Sequence, residues 1–116
     1  MTATTKIPGV TLNPDGMDGG QVATIEAPYA SLAALLGPPN AEGDGYKVST
    51  WWLITFEGHT FGIRDYKATK LYGADLPAVA KFRKLPMYEW SICGSSERPV
   101  LDKFVAALRA ALVEVA

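Results

Sequence analysis

The stretch STWWLITFEGHTFGIRDYK, residues 49–67, constrains the fold more than any other part of the chain. Two runs rich in β-branched and aromatic residues flank a short segment that contains glycine, which is the pattern of a β-hairpin. Successive side chains of a strand point to opposite faces of the sheet. The neighbours Trp51 and Trp52 must therefore lie on different faces, so only one of them can belong to the core.

The hairpin loop decides which residues are cross-strand neighbours. A two-residue loop at Gly58-His59 would place Tyr66 opposite Trp51, whereas a loop at Glu57-Gly58 would shift every pair and keep each side chain on its face. In both registers one face is apolar and is expected to form the core: Val48, Trp52, Ile54, Phe56, Phe61 and Ile63. The opposite face carries a second set, which no remaining segment is expected to cover: Trp51, Leu53, Arg64 and Tyr66.

Three further strands and two helices are indicated elsewhere. The strands are expected at residues 9–12, 21–27 and 87–92, and the helices at residues 28–37 and 95–115. Residues 68–86 fit either a helical turn or an irregular crossover. Both helices have one apolar side that needs a sheet face to pack on. The sequence therefore predicts an α+β fold of order ββ-α-ββ-β-α: an antiparallel β-sheet of four to five strands with two helices packed on one face.

The length of 116 residues fits a single domain spanning residues 1–116, in which residues 1–8 are expected to be flexible. A lone cysteine, Cys93, cannot form an internal disulfide. The sequence contains no apolar run of membrane-spanning length, and its first residues lack the apolar core of a signal peptide. We therefore expect a cytoplasmic protein with no membrane partner.

Charge is distributed unevenly along the chain. The formal net charge is −1, yet residues 64–84 carry six basic and two acidic side chains. The segment RDYKATKLY interleaves basic and aromatic residues, a composition seen where proteins contact nucleic acid. Arginine, tyrosine and tryptophan are also enriched among the residues that dominate protein–protein interfaces. We predict a partner-binding set that joins this segment to the uncovered sheet face: Trp51, Leu53, Arg64, Tyr66, Lys67 and Lys70.

A protein or protein complex is the partner expected for this set, and a homodimer is the alternative. Nucleic acid is less favoured, because the isoelectric point is near 5.7. Two simpler interpretations stay open. The basic segment can be an ordinary solvated loop, and Trp51 with Tyr66 can be a cross-strand pair that stabilises the hairpin without any partner.

Candidate catalytic and metal-binding motifs are incomplete. CGSSERP places Cys93 ahead of a helix, but four residues separate it from Arg98 where a phosphatase loop has five. His59 is the only histidine, and one cysteine with one histidine cannot make a structural zinc site. We predict a protein that is not an enzyme, with no catalytic residues, no metal and no cofactor.

Two motifs resemble those of small proteins encoded by bacteriophages and prophages. They are WLITFEG with IRDYK in the hairpin and WSICG before the last helix, and the likeness covers residues 20–112. It departs from that pattern at residues 76–86 and at Pro28. The resemblance implies a non-catalytic accessory protein that binds and inhibits a host macromolecular complex, in the manner of anti-CRISPR proteins, and it assigns no active residues. The alternative is a protein that sequesters a small ligand or nucleotide signal through Trp51, Arg64 and Tyr66.

Overall fold

A computed structural model of the chain describes residues 3–115. Six strands form one antiparallel sheet: β1 (Ala3–Thr4), β2 (Val10–Leu12), β3 (Gln21–Ala27), β4 (Trp51–Phe56), β5 (His59–Arg64) and β6 (Tyr88–Gly94). Three helices accompany it: α1 (Tyr29–Leu36), α2 (Val79–Phe82) and α3 (Val100–Val115). The predicted α+β class is confirmed, with the two-residue strand β1 added to the predicted strands. The one-turn helix α2 is the helical turn that was one of the two alternatives for residues 68–86. Within residues 3–115, none of the helices has the length and hydropathy of a membrane-spanning segment.

The β4–β5 hairpin turns at Glu57-Gly58. Both residues have positive φ angles, of 50° and 79°, as a tight hairpin turn requires when its twist follows that of the strands. Trp51 therefore pairs with Arg64. The register with the loop at Gly58-His59, which placed Tyr66 opposite Trp51, is wrong. The division of side chains between the two faces is the predicted one, because both registers keep the same alternation.

The core lies between the sheet and the two longer helices. Trp52 and Trp90 are fully buried and meet edge to face, with ring centres 5.7 Å apart. Phe104 of α3 stacks on Phe61 of β5 at 4.6 Å. From the loop between β5 and β6, α2 adds the buried ring of Phe82. The two predicted helices thus pack on one sheet face, as expected.

The strand order across the sheet is β1-β2-β4-β5-β6-β3. The consecutive strands β2 and β3 are therefore separated by three others, a distance of about 19 Å at the usual strand spacing. Residues 13–20, here called the crossing loop, must bridge it, and eight residues span at most about 28 Å. Helices occupy one face, so the crossing loop runs over the other, here called the outer face. The expectation that nothing covers this face is wrong.

The structure differs from the sequence prediction in the N-terminal segment and at the start of the last helix. Ile7 is buried, and the N–H of Lys6 donates to the carbonyl of Leu35 in α1, so residues 3–8 belong to the folded unit rather than to a flexible tail. Residues 1–2 of that predicted tail lie outside the described residues. The last helix begins at Val100 and not near residue 95, because Ser95 instead closes a local turn by accepting the N–H of Glu97.

A tyrosine and lysine surface as the candidate binding site

The six residues predicted to bind a partner fall into two separate groups. One group lies on the outer face, at the crossing loop: Trp51, Leu53 and Arg64. The other lies in the connection that follows β5: Tyr66, Lys67 and Lys70. The predicted single patch is therefore two sites, and each has its own surroundings.

Trp51 and Arg64 hold the crossing loop through Asp18. The indole Nε1 of Trp51 donates to Asp18 Oδ2 at 3.0 Å, and Arg64 Nη1 lies 3.5 Å from Asp18 Oδ1. The guanidinium carbon of Arg64 lies 5.5 Å from the centre of the Trp51 ring, within cation–π range. The Asp18 side chain is only 6% exposed. These contacts occupy Trp51 and Arg64 within the chain.

Gly62 provides the space for this arrangement. A Cβ placed on Gly62 would collide with the Asp18 carboxylate and would lie 2.8 Å from Trp51 Nε1. Only a residue without a side chain therefore lets Asp18 reach the surface of the sheet at this position.

Leu53 is buried, with 4% of its surface exposed. Its backbone N–H donates to Asn40 Oδ1 at 2.7 Å, and Asn40 Nδ2 donates back to the Leu53 carbonyl at 2.8 Å. The Asn40 amide thus takes the place of a neighbouring strand at this point of β4. The expectation that Leu53 lies on an accessible patch is wrong, because the chain itself covers it.

Cys93 also faces the crossing loop and is 1% exposed. Burial raises the pKa of its thiol, and the nearby Arg64 only partly opposes this effect. A raised pKa disfavours the thiolate, which is the nucleophilic form of the side chain. Among the residues that the structure describes, no three histidine, cysteine, aspartate or glutamate side chains converge as metal ligands would.

The second group is part of a larger exposed cluster, here called the tyrosine–lysine surface. It comprises Tyr46, Lys47, Tyr66, Lys67 and Tyr72. The three tyrosines are 51%, 49% and 37% exposed in chain order. Large aromatic side chains at this exposure are a feature of contact surfaces rather than of a packed interior.

Lys67 lies at the centre of the tyrosine–lysine surface. Its Nζ is 5.1 Å from the ring centres of both Tyr66 and Tyr72. The rings of Tyr72 and Tyr46 are 5.1 Å apart, and Lys47 Nζ lies 5.9 Å from the ring of Tyr46. The neighbouring Tyr72 hydroxyl, followed by Tyr66, raises the pKa of Lys67, so its ammonium group is charged at neutral pH.

Backbone contacts join the two loops that carry these side chains. The N–H of Lys67 donates to the carbonyl of Lys47 at 2.7 Å, and Lys67 adopts a left-handed φ of 54°. The N–H of Tyr66 donates to the Tyr88 hydroxyl at 3.2 Å. The first bond holds the two loops side by side, and the second attaches the loop that follows β5 to strand β6.

Two carboxylates hold the base of the surface. The Oδ1 of Asp44 accepts the N–H groups of Val48 and Tyr46, and these hydrogen bonds lower the pKa of Asp44. Asp65 is fully buried, and its Oδ1 accepts the N–H groups of Ser49 and Thr50 at 2.8 Å each. Both loops therefore leave the sheet in a defined direction.

Sequence reasoning selected two of the five residues of this surface, Tyr66 and Lys67. It did not select Tyr72, nor Tyr46 and Lys47, which approach from a loop twenty residues earlier in the chain. The available signal was an aromatic and a lysine in the glycine- and acid-rich segment EGDGYK, where no core position is expected. Lys70 is exposed beside this surface, and its N–H donates to the carbonyl of Pro77.

Comparison with known proteins gives no further guide to the site: no family model, no curated protein and no solved structure matches the chain.

Proposed function

We propose that this chain is a non-catalytic binding protein, and that its tyrosine–lysine surface attaches to an acidic area of a partner protein. The observation that supports the proposal is the placement of Lys67 between two exposed tyrosine rings, with a third tyrosine and a second lysine beside them. The surface is both aromatic and cationic, so a partner that matches it carries carboxylates next to apolar groups.

The energetics of such a contact favour tyrosine. A tyrosine ring buries a large area on binding and gives up only two side-chain torsions, and tyrosine is enriched among the residues that dominate interface energies. Contact of Lys67 with two rings already restricts its side chain, which lowers the entropy lost when it pairs with a carboxylate. The surface therefore combines affinity from the rings with orientation from the ammonium groups.

A ligand-sequestering function through Trp51 and Arg64 has less support. An anionic ligand that approached Arg64 would meet the carboxylate of Asp18, which already lies 3.5 Å from the guanidinium. Binding a phosphate there would require the crossing loop to leave. The tyrosine–lysine surface needs no such displacement, because its three tyrosine rings are already exposed.

The phage resemblance extends the proposal to a biological role. Small accessory proteins of phages and prophages can act by occupying a surface of a host complex, and an aromatic, cationic surface suits that action. On this proposal the chain inhibits a host macromolecular complex in the cytoplasm, in the manner of anti-CRISPR proteins, through the tyrosine–lysine surface.

Site-specific photo-crosslinking tests the binding surface directly. A photoreactive phenylalanine analogue would replace Tyr66 in one sample and Met17, which is 87% exposed on the crossing loop, in another. The samples would be irradiated in an extract of the cells in which the protein is naturally made. We expect a discrete protein adduct from position 66 and none from position 17. The charge reversal Lys67→Glu in the same chain should reduce the adduct at least tenfold.

The outcome can also contradict the proposal. Adducts of equal yield from both positions, or an adduct that Lys67→Glu leaves unchanged, would mean that the surface does not select a partner. An adduct that disappears after nuclease treatment would identify nucleic acid as the partner in place of protein.

A further inference from the structure

Strand β3 forms one edge of the sheet. It is seven residues long and pairs with β6 on one side only, so within residues 3–115 no strand adjoins its other side. A free edge of this length presents backbone N–H and C=O groups that can accept an added strand. The opposite edge ends in a two-residue strand, which offers a much shorter template.

A groove runs along this free edge. It lies between β3 and the last turns of α3 and encloses about 640 Å³. Its walls include two apolar side chains with large exposed fractions, Met87 at 54% and Val113 at 76%. Leu112 also lines it and is half-buried. An apolar groove beside an open sheet edge can hold alternate side chains of an extended peptide.

Three charged side chains line the groove: Glu26, Glu89 and Arg109. Glu26 and Glu89 are direct cross-strand partners and are both exposed, and the described residues place no cation within ion-pair distance of either. Like charges in directly opposed positions destabilise a sheet. On the helix side, Arg109 lines the groove, and no carboxylate of residues 3–115 lies within ion-pair distance of it.

We infer that β3 accepts an extended segment of another protein as a seventh strand, and that this segment alternates basic and apolar residues. Its basic side chains would lie on the outer face beside Glu26 and Glu89, where they would relieve the repulsion between the two carboxylates. Its apolar side chains would point to the opposite face and fill the groove against Val113. This site is separate from the tyrosine–lysine surface and does not depend on its function.

A second copy of the chain is a poorer occupant of the same edge. If two β3 strands paired antiparallel about Thr24, each Glu26 would face Val22 of the partner, because residue numbers on the two strands would sum to 48. The outer face would then carry four carboxylates without an added cation.

The inference can be tested with a defined probe. A fluorescein-labelled peptide of seven residues, the length of β3, in which lysine and valine alternate, would be titrated with the protein while its fluorescence anisotropy is measured. We expect saturable binding, weakened at least tenfold by Glu26→Lys. Glu42→Lys makes the same charge change at another exposed position and should leave the affinity within twofold.

A second peptide separates strand addition from simple charge attraction. It has the same sequence but carries N-methyl groups on alternate backbone nitrogens, and we expect it not to bind. In ¹⁵N-labelled protein, the unmodified peptide should shift the amide signals of β3 and leave those of Tyr46 and Tyr72 unchanged.

Several results would overturn the inference. These are absence of saturable binding, equal loss of affinity in both lysine variants, and equal binding of the methylated peptide. A protein dimer whose formation shifts the amide signals of β3, together with no peptide binding, would identify a second copy as the occupant.

Discussion

The two adjacent tryptophans have different surroundings. Trp52 is fully buried and its Nε1 donates to the carbonyl of Gly37 at 2.9 Å, so it joins β4 to the end of α1. Trp51 lies on the outer face, and its side chain donates one hydrogen bond, to Asp18. One residue of offset along a strand thus separates a core side chain from one that holds a loop.

We predict unequal losses when each tryptophan is truncated. Trp52→Ala should lower the free energy of unfolding by about 3–5 kcal/mol, because it removes a large buried ring and leaves a cavity. Trp51→Ala should cost about 1–2 kcal/mol, the scale of one hydrogen bond and one exposed cation–π contact. Urea denaturation of both variants measures the difference. Equal losses would show that the outer-face contacts stabilise the fold as much as the core does.

The space left by Gly62 supports a second prediction. Gly62→Ala should lower the free energy of unfolding by about 1–3 kcal/mol, because the methyl group and the Asp18 carboxylate cannot occupy the same volume. Asp18→Ala in the same chain should recover part of that loss, which is the signature of two residues in contact. Gly20→Ala is the matched control, since an added Cβ there meets nothing within 4 Å. Additive losses in the double variant would rule out the steric explanation.

Sequence alone predicted the face of each hairpin residue but not its partner. Alternation along a strand has period two and is a local property, so Trp52, Ile54 and Phe61 could be placed in the core directly. The contact of Asp18 with Trp51 joins residues 33 positions apart, and no local pattern encodes it. For the same reason the burial of Leu53 could not be foreseen.

Among the elements, helix α1 was the easiest to predict. Pro28 precedes its first residue and Gly37 follows its last with a φ of 80°, which are the usual boundary residues of a helix. The crossing loop was the hardest. NPDGMDGG has the composition of an ordinary turn, and its path over the sheet follows only from the positions of β2 and β3 in the strand order.

The turn at residues 44–48 should respond to acid. Hydrogen bonds from Val48 and Tyr46 lower the pKa of Asp44 in the folded chain, so the turn is stabilised above the ordinary value of 3.8. This stabilisation is lost as the pH falls through the lower, folded pKa, because protonation removes the negative charge from the acceptor. The effect should be at most about 1 kcal/mol, since the carboxylate is exposed.

Proton NMR of two amides measures this effect. The N–H signals of Tyr46 and Val48 should titrate together, with a midpoint below 3.8. In Asp44→Asn neither signal should follow that titration. A midpoint at or above 3.8 would mean that the two hydrogen bonds do not stabilise the ionised carboxylate.

At the scale of the whole molecule, the sheet depends on pairing between strands that are far apart in the chain. Strand β3 lies near the N-terminus of the described residues, and its only neighbour, β6, begins more than sixty residues later. The same long-range pairing sets the position of α3 over the core. Strand order therefore depends on pairings that single-strand patterns do not contain, which is why the sequence indicated the class of fold but not its arrangement.

We predict that a fragment ending at residue 86 does not fold. It would lack β6 and α3, and so would lose the partner of β3 together with the buried side chains of Trp90 and Phe104. Circular dichroism during heating should show no cooperative transition in the fragment and a single one in the full chain. Adding a synthetic peptide of residues 87–116 should restore the transition if the missing pairing is the cause. A cooperative transition in the fragment alone would show that the first five strands form an independent unit.

The crossing loop also has a consequence for sequence variation. A side chain at position 62 and a carboxylate at position 18 compete for one volume, so related chains should change these two positions together, and position 51 with them. Residues 14–17 lie between the two anchors, Asn13 and Asp18, and include the highly exposed Met17. Insertions and deletions should therefore accumulate within 14–17 and avoid both anchors. An alignment of relatives would then show a length-variable segment between two fixed points, a signature by which the same sheet crossing could be recognised in other sequences.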